Sequence, residues 1–168
     1  MVTLDAVPFN ALLWLVPVFF TLHNLEEAPF MAKWSKRLPV KIHPNLTTPQ
    51  FVVAVVFLTL ASYFLTFASL VWLPASTGIL LILGMQMILF INAVVPHLVT
   101  TIRFRLYSPG VLTAVLITVP FSVYLFHRAF AEGIINWGQF WILLGIAPFA
   151  MVTLTVLSLQ FGRAVTQK

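Results

Sequence analysis

Apolar runs about twenty residues long, the length a spanning helix needs, recur along this chain between short clusters of proline, glycine and charge. Five such runs can be read, at approximately 8–27, 50–73, 78–102, 111–126 and 137–161. Their apolar character is continuous rather than striped, so they read as helices with lipid around most of their surface. Pro74 stops the second run, Pro96 lies inside the third as a kink, and Pro39 and Pro44 break the basic stretch after the first. The pattern predicts an all-α integral membrane protein, a bundle of about five transmembrane helices forming one domain over residues 1–168.

Charge orients that bundle. With the amino terminus outside, Lys33, Lys36, Arg37, Lys41, Arg103, Arg105, Arg163 and Lys168 fall on the cytoplasmic side and only Arg128 falls outside. Eight against one favours a cytoplasmic carboxyl terminus by the positive-inside rule. Trp72 and Trp137 mark the expected outer boundary and Trp34 the inner one. The expected location is the bacterial cytoplasmic membrane, with membrane lipids as the surroundings and self-association left open.

Composition sharpens the class. The chain is 61% hydrophobic and 8% charged, with a mean hydropathy of +1.03, beyond the range of soluble domains. The net charge of +5 sits at segment ends and forms no stripe for nucleic acid. No cysteine is present, which excludes disulfides, iron–sulfur clusters and thiolate zinc. Asp5 precedes the first run and no basic segment does, so no cleavable signal is expected.

Against this background His23, Glu26 and Glu27 stand out at the inner end of the first run. The chain has four acidic residues, and two of them are here. A charge at bilayer depth costs about 2.5–3.5 kcal/mol on insertion scales, so it implies partners or a task. The i, i+3, i+4 spacing puts all three on one helix face. That face suits a divalent metal such as zinc, manganese or iron, or acid–base work by two carboxylates sharing a proton. The plain alternative is a helix-end cluster that reaches the headgroups and pairs with Lys33 or Arg37.

Two further polar elements belong with it. In Asn92-Ala-Val-Val-Pro96-His97, proline frees a backbone carbonyl, and topology puts His97 at the leaflet of His23. Taken alone, His97 reads as a histidine hydrogen-bonded inside the bundle. Tyr107-Ser-Pro-Gly110-Val-Leu-Thr113 then joins the third and fourth runs by a tight turn on the same side. Together the three motifs, from Leu22 to Thr113, resemble the family of small membrane proteins named for its His-x-x-Glu-Glu motif. The resemblance implies an enzymatic domain and supplies no substrate.

These readings give an expected site. His23, Glu26, Glu27 and His97 are the candidate metal ligands, and Glu26, Glu27, Asn92, Tyr107 and Thr113 the candidate catalytic residues. The expected activity is hydrolysis or isomerisation of a lipid-like, amphiphilic substrate entering from the cytoplasmic leaflet. A metal-free version would use a glutamate as base and His97 as acid. The alternative function is a small transporter or lipid-binding protein using the cluster as a proton or cation site. Against it stand the apolar outer halves of the runs and the lack of internal repeats.

The remaining polar residues are expected to be structural. His43 is read as solvated and His127 as remote at the outer end. Arg128 and Glu132 should form an exposed i, i+4 pair. Gln86, Asn136, Gln139 and Gln160 should hydrogen-bond between helices, Gly84, Gly138 and Gly145 should allow close helix approach, and Met85 and Met87 should pack.

Overall fold

A computed structural model describes residues 6–39 and 45–167. Asp5, Lys41, His43, Pro44 and Lys168 lie outside the described residues, as do the readings placed on them. Every regular element among the described residues is helical. Among the described residues, four helices are long and apolar enough to cross a membrane: Thr48–Val71, Ala75–Phe104, Val111–Ala131 and Trp137–Thr166.

The first apolar run is built differently. It forms two shorter helices, α1 (Phe9–Leu13) and α2 (Leu15–Glu27), meeting at Trp14. Pro17 has no N–H to offer the carbonyl of Leu13, which accounts for the break. A short α3 (Met31–Ser35) comes next, then α4 (Thr48–Val71), whose first turn is capped by the Thr47 hydroxyl and contains Pro49.

The next two long helices each contain a widened π-helical turn. Helix α5 (Ala75–Asn92) passes through a π turn at Ala93–Val99 into α6 (Thr100–Phe104). Pro96 lies within that turn, and the Thr100 hydroxyl donates to the Pro96 carbonyl, satisfying a group the widened turn loosens. Helix α7 (Val111–Thr113) runs through Ala114–Thr118 into α8 (Val119–Ala131), with Pro120 just beyond. Helix α9 (Trp137–Thr166) is uninterrupted despite Pro148.

A core of Leu12, Leu13, Val16, Ile82, Leu83, Met87, Leu125 and Ala129 joins α1, α2, α5 and α8. Met87 packs there as expected and Met85 lies against it. The outer surface is apolar: Phe149, Ile102 and Leu60 are 76%, 68% and 65% exposed, a surface that lipid must cover.

Several structural expectations change. Asn136 and Gln139 form the capping box of α9, because both sit at its first turn with unsatisfied backbone N–H groups nearby. Gln86 does bridge helices, donating to the Ser122 hydroxyl at 2.6 Å, while Gln160 is exposed. Arg128 is buried rather than exposed: besides Glu132 it reaches the Tyr124 hydroxyl at 2.9 Å and the Val7 carbonyl at 3.3 Å. The long side chain thereby ties the start of the chain to α8. Close backbone approach occurs at Gly78 and Gly162, whose added Cβ atoms would fall 2.0 Å from the Ser69 carbonyl oxygen and 2.3 Å from that of Gln50. Among the described residues, Gly84, Gly138 and Gly145 have no backbone of a neighbouring helix that near.

Candidate metal centre

Three elements converge just beyond the apolar core. The last two turns of α2 carry His23, Glu26 and Glu27; the π turn after α5 carries His97, with Asn92 immediately before it; and α7 with the turn leading into it carries Ser108, Gly110 and Thr113. The π turn sets the phase. A widened turn rotates the residues beyond it relative to an α-helix, and here both Asn92 and His97 reach His23 or its neighbours.

His23, Glu27 and His97 are buried, with exposures of 3%, 6% and 2%. Each offers one ligand atom, and these atoms lie within 4.8 Å of one another. Glu27 Oε1 is 2.9 Å from His97 Nε2 and 3.6 Å from His23 Nε2. Donors 2.0–2.2 Å from a tetrahedral zinc stand about 3.3–3.6 Å apart, so a small cation fits once the widest pair, within 4.8 Å, closes by roughly 1 Å. The Asn92 amide nitrogen is 3.2 Å from both Nε2 atoms, making Asn92 a neighbour that can orient a ligand.

The other ring nitrogens are held from behind. His23 Nδ1 is 2.9 Å from the Thr113 hydroxyl, and His97 Nδ1 is 3.2 Å from the Ser108 hydroxyl. The Thr113 hydroxyl in turn lies 2.7 Å from Glu26 Oε2, the stronger acceptor compared with the Gly110 carbonyl at 3.1 Å. With its proton directed to Glu26, the hydroxyl accepts from His23 Nδ1–H. That leaves the lone pair of a neutral His23 on Nε2, facing Glu27 and Asn92. Outer partners of this kind fix tautomer and ring orientation in metal sites.

Glu26 is separated from Glu27. Its carboxylate accepts from the Tyr107 hydroxyl at 2.5 Å, the Leu112 N–H at 3.2 Å, and the Thr113 N–H at 2.8 Å in addition to the Thr113 hydroxyl. Both oxygens are thus taken up at the start of α7, where backbone N–H groups have no helical partners. The structure brings together three of the four expected ligands, and Glu26 instead supports the third element. The expected sharing of a proton between the two carboxylates gives way to separate roles. Neither carboxylate forms an ion pair with Lys33 or Arg37 among the described residues.

Tyr107 and Thr113 therefore stand one step behind the cluster, joined to it through Glu26 and His23. Tyr107 lies outside the spanning helices, and its hydrogen bond to Glu26 pushes the phenol up to about 12. His127 is exposed on α8 and takes no part.

Two contributors were not expected from the sequence: Ser108, and Gly110 in a role beyond its turn. Gly110 has φ +91°, and a Cβ there would stand 2.7 Å from His23 Cε1 and 3.0 Å from both Glu27 Cγ and His97 Cε1. Only glycine lets the turn close over the cluster. The signal was present, since Ser108 and Gly110 lie inside the Tyr-Ser-Pro-Gly motif. Asn24 anchors the same turn of α2 by donating to Thr59 of α4 at 2.8 Å.

Comparison with known proteins agrees with the motifs. A curated relative is an uncharacterized protein of Bacillus subtilis (strain 168), YrkK, 28% identical over 146 residues that cover 87% of this chain and 92% of the relative. No solved structure matches. The family described as protein of unknown function with HXXEE motif matches residues 14–125, which span the whole cluster from His23 to Thr113, and the chain belongs to that family.

Proposed function

We propose that this chain is a membrane-embedded, metal-dependent enzyme of the bacterial cytoplasmic membrane, a hydrolase or isomerase acting on a lipid-like substrate. Its first apolar run, α1 with α2, serves as a fifth span, and the cluster opens toward the cytoplasmic leaflet. The reading rests above all on the convergence of His23, Glu27 and His97, three buried donors from two elements within 4.8 Å. Two imidazoles and a carboxylate are a donor set for zinc, manganese or iron, and three protein ligands leave room for water or substrate. A cation held there would polarise a bound oxygen and supply a nucleophile near neutral pH.

The surrounding residues have defined tasks in this reading. Glu26, through Thr113, holds His23 in the tautomer that presents Nε2. Ser108 does the corresponding work for His97, and Asn92 offers an amide to the ligand. Glu26 is a positioning residue here, because all its acceptor capacity is directed to Tyr107 and α7.

The direct hydrogen-bond distance of 2.9 Å between His97 and Glu27 supports a second, metal-free reading in which that pair exchanges a proton with substrate. A transporter finds less support: Ser62 and Thr66 of α4 direct their hydroxyls to carbonyls of their own helix rather than into a polar route. The test is turnover of a panel of ester and phosphoester amphiphiles by chelated and metal-reloaded protein. Metal-restored turnover absent from Glu27→Gln supports the metal enzyme, and equal turnover after chelation supports the acid–base pair. No turnover under either condition would refute both.

A further inference from the structure

A cavity of about 350 Å3 is lined in part by Tyr107, the residue whose hydroxyl donates to Glu26. Phe30, Lys33, Trp34 and Arg37 line it from the segment around α3, and Tyr107 and Pro109 from the turn before α7. Its two charged residues are both cations, and neither has an ion-pair partner among the described residues. The Trp34 indole packs against the cavity as an apolar wall, its N–H buried and without a hydrogen-bond partner among the described residues. Tyr107 directs its proton to Glu26, so the charged donors left to an occupant are the Lys33 ammonium and the Arg37 guanidinium.

These features specify a ligand. Two cations with no ion-pair partner among the described residues ask for an anion with several acceptor oxygens, and a guanidinium matches phosphate with paired N–H groups. The aromatic and proline walls ask for an apolar body joined to that anion. The position, at the basic end of an apolar bundle, is where a lipid carries its head. Tyr107 connects the cavity to the cluster through the chain of hydrogen bonds from Glu26 to Thr113 to His23.

We infer that this cavity takes the phosphate head of a lipid-like molecule, which makes a phosphate-bearing amphiphile the substrate class of the proposed enzyme. The assignment of a substrate rests on the enzymatic reading above; the binding of the head does not.

The test is calorimetric titration of the full chain in neutral detergent with short-chain phosphatidic acid, the matching diacylglycerol, and inorganic phosphate. Phosphatidic acid should bind, with Arg37→Gln and Lys33→Gln each weakening it by about tenfold, the loss expected for one charge-assisted contact. Lys36→Gln, which removes a neighbouring exposed cation outside the cavity, should leave affinity unchanged. Equal loss in Lys36→Gln would reduce the cavity to general surface charge and overturn the proposal. Diacylglycerol or inorganic phosphate binding as tightly as phosphatidic acid would overturn it as well. Lys33, Lys36 and Arg37 are exposed, so their variants should fold like the parent. Glu27→Gln should lose metal and keep the lipid. Wild-type protein that binds phosphatidic acid but no metal would refute the metal enzyme separately from the head-binding cavity.

Discussion

At the residue scale, the site depends on hydroxyl groups as much as on its ligands. Thr113 stands between Glu26 and His23, so Thr113→Val should preserve the fold while lowering metal affinity about 10–100-fold, as loss of an outer-shell partner does. Competition against a chelator of known affinity measures this, and Thr113→Ser should restore most of the loss. Tyr107 gives a pH signature. Its phenol is raised from 10.0 to about 12 by Glu26, so the bond stabilises the fold fully below pH 10 and is lost as pH rises through about 12. Ultraviolet titration should therefore show the phenolate signal missing from Tyr107→Phe to be one that appears near pH 12 in the parent. In Glu26→Gln that signal should move back toward 10.

At the scale of elements, the proline positions were legible and their consequences only partly so. Pro96 predicts a kink; the structure answers with a π turn that keeps the helix going and brings His97 and Asn92 to the same cluster. Helix spacing alone put Glu26 and Glu27 on one face, yet the start of α7 draws Glu26 toward its free N–H groups. That competition is between elements distant in sequence, which periodicity cannot register. Close helix packing was equally hidden, because whether a glycine meets lipid or a neighbouring backbone depends on helix rotation. Gly162 is the clear case: Gly162→Ala should destabilise the α4–α9 contact by about 1–3 kcal/mol, read as a lower melting temperature in detergent. Gly145→Ala, with nothing within 4 Å of the added Cβ, should be near neutral.

At the scale of the whole molecule, long apolar runs made the membrane class readable, since nothing else stabilises so much exposed hydrocarbon. Four of the expected spans appear as single long helices, each running a few residues past one or both expected ends. The first is divided at Trp14. The motif residues His23, Glu27, Asn92 and His97 were legible as one site because topology assigned them one leaflet. Ser108 and the cavity around Arg37 were not, since both arise from a turn folding against α2 and α3. The orientation remains an expectation from charge, and a reporter fused after Lys168 should read cytoplasmic; an external readout would move the site to the opposite leaflet.

Elemental analysis of protein purified in mild detergent without chelator decides whether His23, Glu27 and His97 hold a divalent metal. The expected result is about one divalent ion per chain, matching one three-ligand site. His23→Ala, Glu27→Gln and His97→Ala should each lose that ion while folding, and His127→Ala should retain it. Substoichiometric metal in the parent, or metal that persists in all three variants, would show that these residues do not hold it.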